Sequence, residues 1–168
     1  MYLSELSKKY IEETQEKAIV TNRKTLLCNL TNAVVKGINL DNSIKSVYIT
    51  TRCVKHWYDK KPAEEYHFII KNLHKIVKYP DKIYENKSGK RGNFCFVKKI
   101  GGEDYFCSIE VLEKPPCVFG VAQFGFSEFG SDSIIKEIQV ATAMRIRKKK
   151  YLKNYTLLWD WGNDNPPS

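Results

Sequence analysis

The stretch that follows Pro62 constrains the fold most, because its apolar residues recur with a strict helical period. Proline suits the first turn of a helix, and Glu64 and Glu65 lie where the positive end of the helix dipole favours acidic groups. The apolar positions form one stripe, which consists of Tyr66, Ile69, Ile70, Leu73, Ile76 and Val77. The segment Tyr79-Pro80-Asp81 ends the helix. We therefore predict a helix that packs its apolar stripe on a sheet.

One flank of this helix is polar and partly cationic. His67, Lys71, His74 and Lys78 recur at helical spacing beside the apolar stripe. Histidines on such a flank are more often satisfied by neighbouring groups than catalytic. We therefore place His67 and His74 behind the main candidates named below.

Short β-rich runs separated by turn residues follow the helix. Residues 93–100 and 105–112 flank Gly101-Gly102, which is typical of a hairpin. Residues 117–124 are so apolar that we place them in the middle of the sheet. Further predicted elements are a helix over residues 3–18, a strand over 46–51, a short helix over 52–58 and a β-rich run over 82–86. This order predicts an α+β domain with an antiparallel sheet of four or more strands, backed on one face by N-terminal helices.

The length of 168 residues suits one domain with short appendages. We assign residues 1–44 to an N-terminal helical extension, 45–160 to the main α+β domain and 161–168 to a flexible tail. Leu157-Leu158-Trp159 is expected to pack back on the core before that tail. No apolar run approaches the ~18–20 residues that span a bilayer, and residues 1–5 lack the zones of a signal peptide. We expect a soluble, cytoplasmic protein.

Positive charge is concentrated in two blocks of the chain. The formal net charge is +9, and residues 52–99 carry +8, residues 143–168 carry +4 and residues 100–142 carry −5. A fold that joins the two basic blocks presents a cationic face, which is typical of proteins that bind polyanions. The alternative is a set of solvated lysines that keeps the protein soluble.

The sequence lacks the motifs of common cofactor and metal enzymes. It has no phosphate-binding glycine loop, no nucleophile elbow and no histidine pair at metal-ligand spacing. We therefore expect no cofactor and no metal. The acidic residues between 103 and 113 leave a two-metal nuclease as an alternative without further support. The five cysteines contain no C-x-x-C pair, so we interpret them as buried apolar residues, with Cys53 near His56 as the one pair suited to nucleophilic catalysis.

The remaining reactive side chains are Lys, Arg, His, Tyr and Gln, a set that can cleave RNA without a metal. The 2′-hydroxyl attacks the adjacent phosphorus while a basic side chain takes its proton. A cation then stabilises the phosphorane, and a proton donor serves the leaving oxygen.

Several pieces of the sequence together resemble a known family. They are Arg52-x-x-x-His56, the Pro62-started helix that runs through Tyr79-Pro80-Asp81 into Lys82-Ile83-Tyr84, the basic glycine loop of residues 87–92, the hairpin, the apolar strand 118–124, and Tyr151-Leu152-Lys153 with Leu157-Leu158-Trp159. Over residues 45–160 the chain resembles the phage-associated branch of the barnase, EndoU, colicin and RelE-like nucleases. The resemblance implies a RelE/barnase-like fold and a metal-independent endoribonuclease of the toxin or mobile-element type.

The catalytic candidates are His56, Lys98, Arg91 and Tyr151. Histidine suits general acid and base catalysis near neutral pH, and His56 follows a predicted strand among several cations. Lys98 and Arg91 are assigned to phosphate and transition-state binding, and Tyr151 to protonation of the leaving oxygen. The substrate-binding candidates are Arg52, Gln123, Arg145, Arg147 and Lys149.

RNA is the expected partner, and the resemblance adds an acidic antitoxin or immunity protein. The alternative is a module without chemistry that binds nucleic acid or a protein partner through the same basic face. The nuclease hypothesis requires His56, Arg91, Lys98 and Gln123 to line one cleft.

Overall fold

A computed structural model describes residues 2–87, 92–114 and 135–162 of the chain, which form an α+β fold. The helices are α1 (Leu3–Tyr10), α2 (Asn32–Gly37), α3 (Thr51–Lys60) and α4 (Ala63–Lys78). The strands are β1 (Lys24–Asn29), β2 (Ser46–Thr50), β3 (Lys82–Glu85), β4 (Phe94–Ile100), β5 (Glu103–Lys114), β6 (Ile135–Arg145) and β7 (Thr156–Asp160). None of the described helices combines the length and the apolarity that a membrane crossing requires.

The described strands form one mixed sheet in the order β1-β2-β6-β5-β4-β3-β7. β2 and β6 pair in parallel, and the other neighbouring pairs are antiparallel. The α+β class and the β4–β5 hairpin are thus confirmed, whereas the expectation of a purely antiparallel sheet is wrong. Alternation in the sequence marks a segment as a strand but does not specify its neighbour or its direction. The apolar run 117–124, predicted to lie in the middle of the sheet, falls outside the described residues.

Helix α4 forms as its sequence pattern predicts. Pro62 is the N-cap residue, Glu64 and Glu65 lie in the first turn, and Tyr79 is the C-cap residue. All six residues of the apolar stripe are buried. They join side chains of the sheet such as Phe96 in one core, so the opposite side of α4 is left to polar residues.

Residues 2–44 are part of the same fold as the rest of the described chain. Strand β1 lies within this range and pairs with β2, so the predicted domain boundary at residue 44 separates two hydrogen-bonded strands of one sheet. The predicted helix over residues 3–18 ends at Tyr10. The Ser7 hydroxyl lies 2.7 Å from the Tyr66 hydroxyl, and Leu6 shares the main core with the α4 stripe. These contacts fix α1 beside α4.

Residues 146–155, which we call the 146–155 segment, cover the face of the sheet opposite α4. Cys95, Val97 and Phe106 form a second, smaller core on this face. Four half-buried side chains of the 146–155 segment pack against that core, namely Ile146, Tyr151, Leu152 and Tyr155. After the segment, β7 returns to the sheet, where Trp159 is buried and Leu158 packs against the main core. Leu157 is exposed, so the prediction that residues 157–159 pack back on the core is confirmed for Leu158 and Trp159 only.

Candidate functional site

Four polar side chains on α4 lie along one cavity. They are His67, Lys71, His74 and Lys78, which we call the α4 row, and they border a cavity of about 730 Å³, the α4 groove. The three N-terminal members are exposed and Lys78 is half-buried. The predicted polar flank of the helix is therefore confirmed. At 1.5 Å per residue the row covers about 16 Å of the helix axis.

The other walls of the α4 groove come from α1 and from the edge strand β1. Helix α1 contributes Ser4 and Lys8, the residues after it contribute Glu12, and β1 contributes Cys28 and Leu26. The fully charged groups of the lining are thus three ammonium groups and one carboxylate, and the Glu12 carboxylate accepts a hydrogen bond from the Ser7 hydroxyl. The groove is cationic at neutral pH.

The centre of the α4 row brings two imidazoles to one ammonium group. Lys71 lies four residues after His67 and three before His74, and side chains at these spacings are neighbours on a helix surface, with Cβ atoms about 5–6 Å apart. Although His74 is exposed, partial desolvation by neighbouring side chains lowers its pKa from the ordinary value of 6.5, and the ammonium groups of Lys75 and Lys78 lower this pKa further. His74 is therefore mainly neutral at pH 7 and able to accept a proton.

A second cavity of about 490 Å³ continues the groove past the N-terminal end of α4. His67 and Lys71 border both cavities, and Arg145 and Arg147 border the second one. Two predicted substrate-binding residues therefore lie next to the α4 row. Glu65 binds the Arg147 guanidinium and so neutralises part of the positive charge that the two arginines bring to this cavity.

The Glu65 carboxylate holds the chain that leads into the 146–155 segment. Burial opposes the ionisation of Glu65, but hydrogen bonds from the Arg145 N–H at 3.2 Å and from Arg147, together with Lys61, lower its pKa. The carboxylate is thus charged at neutral pH and fixes the position at which β6 ends.

A third cavity of about 410 Å³ begins where the groove ends. Lys78 borders both spaces. The third cavity, which we call the Trp161 pocket, is also lined by Tyr79, Asp81, Lys98 and Trp161. The three cavities adjoin along α4, because His67 and Lys71 border the first two and Lys78 borders the groove and the pocket, and we call them together the track.

The leading catalytic candidate, His56, lies on α3. Its side chain and that of Arg52 are exposed one helical turn apart, and within the described ranges neither residue borders the three cavities of the track. The structure therefore places this pair away from the α4 row.

Lys98 and Tyr151 lie on opposite faces of the sheet. The Lys98 ammonium donates to the Tyr79 carbonyl at 2.7 Å and pairs with Asp81 at 3.3 Å, so it holds the C-terminal end of α4 against the start of β3. Tyr151 packs edge-to-face on Phe106 in the smaller core. These two candidates do not meet at one phosphate.

The remaining candidates do not complete the predicted cleft. Lys149 is exposed in the 146–155 segment, beside Lys99 and Lys82. Arg91 and Gln123 fall outside the described residues. The cleft required by the nuclease hypothesis, with His56 and Lys98 in one concave site, is therefore not what the described residues form.

The described thiols are poorly suited to nucleophilic catalysis. Burial raises the pKa of Cys28 to about 11 and those of Cys53 and Cys95 to about 12, and it also raises the pKa of Cys107. The Cys53 thiol donates a hydrogen bond to the Ala141 carbonyl at 3.6 Å. Reactivity follows the thiolate fraction, so these groups are inert near neutral pH.

We expect these four thiols in a Cys117→Ser variant to react with iodoacetamide at pH 7 at least about 100-fold more slowly in the native state than in denaturant. Mass spectrometry of the alkylated peptides measures each site. A native thiol that reacts at the denatured rate would contradict this expectation and make that cysteine a nucleophile candidate.

Sequence reasoning did not identify the walls of the groove. Ser4 and Lys8 belong to the range assigned to a separate extension, and the run around Cys28 is apolar without clear alternation, so nothing in the pattern placed them beside α4. The polar flank of α4 was the signal for this site. Among residues 2–87, 92–114 and 135–162, no three His, Cys, Asp or Glu side chains are grouped so that they could hold a metal ion.

No family model, curated protein or solved structure matches this chain.

Proposed function

We propose that this chain binds single-stranded RNA in the α4 groove and cleaves it without a metal ion, as a cytoplasmic nuclease of the toxin or mobile-element type. The observation that carries the proposal is the placement of Lys71 between His67 and His74 on the border of one cationic cavity. A phosphate bound by Lys71 has an imidazole on either side. This arrangement supplies the three groups that transesterification requires.

Each of the three side chains has one role in the proposed reaction. Neutral His74 takes the proton of the ribose 2′-hydroxyl as the oxygen attacks the adjacent phosphorus. The Lys71 ammonium stabilises the extra negative charge of the phosphorane. His67 gives a proton to the departing 5′-oxygen as the P–O bond breaks. The products are a 2′,3′-cyclic phosphate and a 5′-hydroxyl, and each proton is accounted for.

RNA binding without cleavage is the second candidate function. The length of the α4 row favours it, because about 16 Å of helix carrying Lys71 and Lys78 exceeds what a single phosphodiester contacts. The arginines beside the row, Arg145 and Arg147, extend the track further. Such a surface follows a phosphate backbone whether or not chemistry occurs.

The proposal is tested with labelled RNA in EDTA at pH 7.5. We expect fragments that end in a cyclic phosphate, which end-group analysis by mass spectrometry detects. RNA that stays intact at high protein concentration, while a 2′-O-methyl strand still binds, would support the second function instead. Absence of both binding and cleavage would contradict both.

The salt dependence of binding tests the groove itself. Each phosphate neutralised on a single strand contributes a slope of about −0.7 to the plot of log affinity against log salt. We expect Lys71→Ala to make the slope shallower by about 0.7, the contribution of one phosphate. The variant should also bind the 2′-O-methyl strand more weakly, as measured by fluorescence anisotropy. Lys60→Ala removes an exposed ammonium on α3 and should leave the slope unchanged. Equal effects of the two variants would contradict binding in the α4 groove.

A further inference from the structure

We propose that the Trp161 pocket binds one nucleobase of the strand whose phosphates lie in the α4 groove. This inference rests on the proposed function and adds the part of the RNA that the aromatic end of the track recognises. Three observations support base binding in this pocket. Two aromatic rings are exposed there, the Trp161 ring is fixed in its orientation, and Lys78 borders both the pocket and the groove.

Two large aromatic side chains are exposed at this one pocket. Trp161 is 65% exposed and Tyr79 is 55% exposed. Leaving such rings in water forgoes the stabilisation that burial gives, and grouped exposed rings mark interaction sites. The pocket volume of about 410 Å³ lies within the range of small-molecule sites, roughly 300–1,000 Å³. A flat aromatic base suits these walls.

The Trp161 ring is held in place before any ligand arrives. Its backbone N–H donates to the Asp81 carbonyl at 2.8 Å. Its indole packs edge-to-face on Trp159, with ring centroids 5.1 Å apart and an angle of 77° between the rings. Trp159 is itself buried against the core and cannot swing away. Because the ring is already oriented, stacking on it costs little conformational entropy.

The polar groups of the pocket match the edge of a base. The Asp81 carboxylate accepts from the Lys99 N–H at 2.8 Å and lies 3.3 Å from the Lys98 ammonium. Both side chains are fixed by these bonds, and Asp81 remains partly exposed. The ammonium keeps a third N–H, and the carboxylate oxygens keep further lone pairs, so the pair offers one donor and one acceptor beside the rings in addition to its internal bonds.

Lys78 joins the pocket to the groove. It borders both cavities, and its ammonium lies 5.5 Å from the centroid of the Tyr79 ring. A phosphate that contacts Lys78 therefore has its own nucleoside next to Tyr79 and Trp161. A single strand of RNA presents the same order of anionic phosphate and flat ring, so one strand fills both spaces.

The inference is tested with a short 2′-O-methyl oligoadenylate, which the proposed chemistry cannot cleave, and the same strand with abasic sugars. We expect the abasic strand and the Trp161→Ala variant each to lose about 10-fold in affinity, the effect of one stacked base. Tyr79→Ala should act in the same direction, and Tyr79→Phe should retain affinity. Ile19→Ala truncates a fully exposed apolar side chain outside the track and serves as the matched control.

The outcomes separate the two proposals. Loss of affinity for the base-bearing strand in Trp161→Ala, with unchanged affinity for the abasic strand, supports the base pocket. Equal binding of both strands by the wild-type chain overturns the pocket and leaves phosphate binding intact. Binding of neither strand overturns the proposed function and the pocket with it. Saturable binding of adenosine monophosphate, with no competition from the strand, would assign the pocket to a free nucleotide and also overturn this inference.

Discussion

RNA cleavage by the His74→Ala variant is expected to be about 10²–10⁴-fold slower than cleavage by the wild-type chain, because the variant lacks the group that takes the 2′-hydroxyl proton. His67→Ala should show a loss in the same range through the missing proton donor. Both side chains are exposed, so the unfolding midpoint should stay the same. Single-turnover cleavage at saturating protein measures the chemical step separately from binding.

His56→Ala is the matched control for these variants, because it removes an exposed imidazole from α3, away from the track. We expect it to cleave at the wild-type rate. Loss of cleavage in His56→Ala, with activity retained in His74→Ala, would return the active site to α3 and contradict the groove mechanism.

The pH profile of cleavage distinguishes a general base at His74 from a merely structural role of this residue. A general base must be neutral, and partial desolvation together with Lys75 and Lys78 holds the pKa of His74 below 6.5. The acid limb of kcat/KM should therefore have its midpoint below pH 6.5, with activity falling as pH decreases through it. Lys75→Ala removes one of the two ammonium groups and should move this midpoint upward. A limb that does not move would argue against His74 as the base.

Gly92→Ala is expected to destabilise the fold by about 3 kcal/mol, a large part of the roughly 5–15 kcal/mol that holds a domain together. Gly92 has φ of +92°, and a Cβ atom there would lie 2.6 Å from the Ile109 carbonyl oxygen. That oxygen belongs to β5, in the middle of the sheet, and accepts the Asn93 N–H. Urea unfolding followed by circular dichroism measures the loss.

Gly101→Ala separates the two causes of this effect. Gly101 also has a positive φ of +60°, but a Cβ atom there would meet nothing within 4 Å. Its cost should be the conformational part alone, about 1 kcal/mol. If both variants lose the same amount, β5 shifts to accommodate the new methyl group and the steric argument fails.

The fold was predictable where one segment determines its own structure. Helix α4 and the β4–β5 hairpin follow from periodicity, from Pro62 and from Gly101-Gly102. Strand β1 and the parallel pairing of β2 with β6 were not predictable, because they depend on which distant segments meet. Register and neighbour choice arise from the packing of the whole sheet.

The candidate site was predictable in part for the same reason. The α4 row is local to one helix, so its spacing placed His67, Lys71 and His74 on one face. The choice of His56 and Lys98 required a meeting between α3 and β4. The structure instead engages Lys98 at the C-terminal end of α4 and leaves His56 exposed on α3. Charge alone did not distinguish an ammonium that caps a helix from one that faces a groove.

The parallel pairing of β2 with β6 also governs the order in which the molecule is completed. β2 leaves the ribosome well before its neighbour β6, which begins only at Ile135. Until then the nascent chain presents the unpaired edge of β2 to its surroundings. Closing so long a loop is entropically costly, so joining the β1–β2 pair to the rest of the sheet is a late step of folding. Molecules whose synthesis stops before this strand would be the aggregation-prone ones.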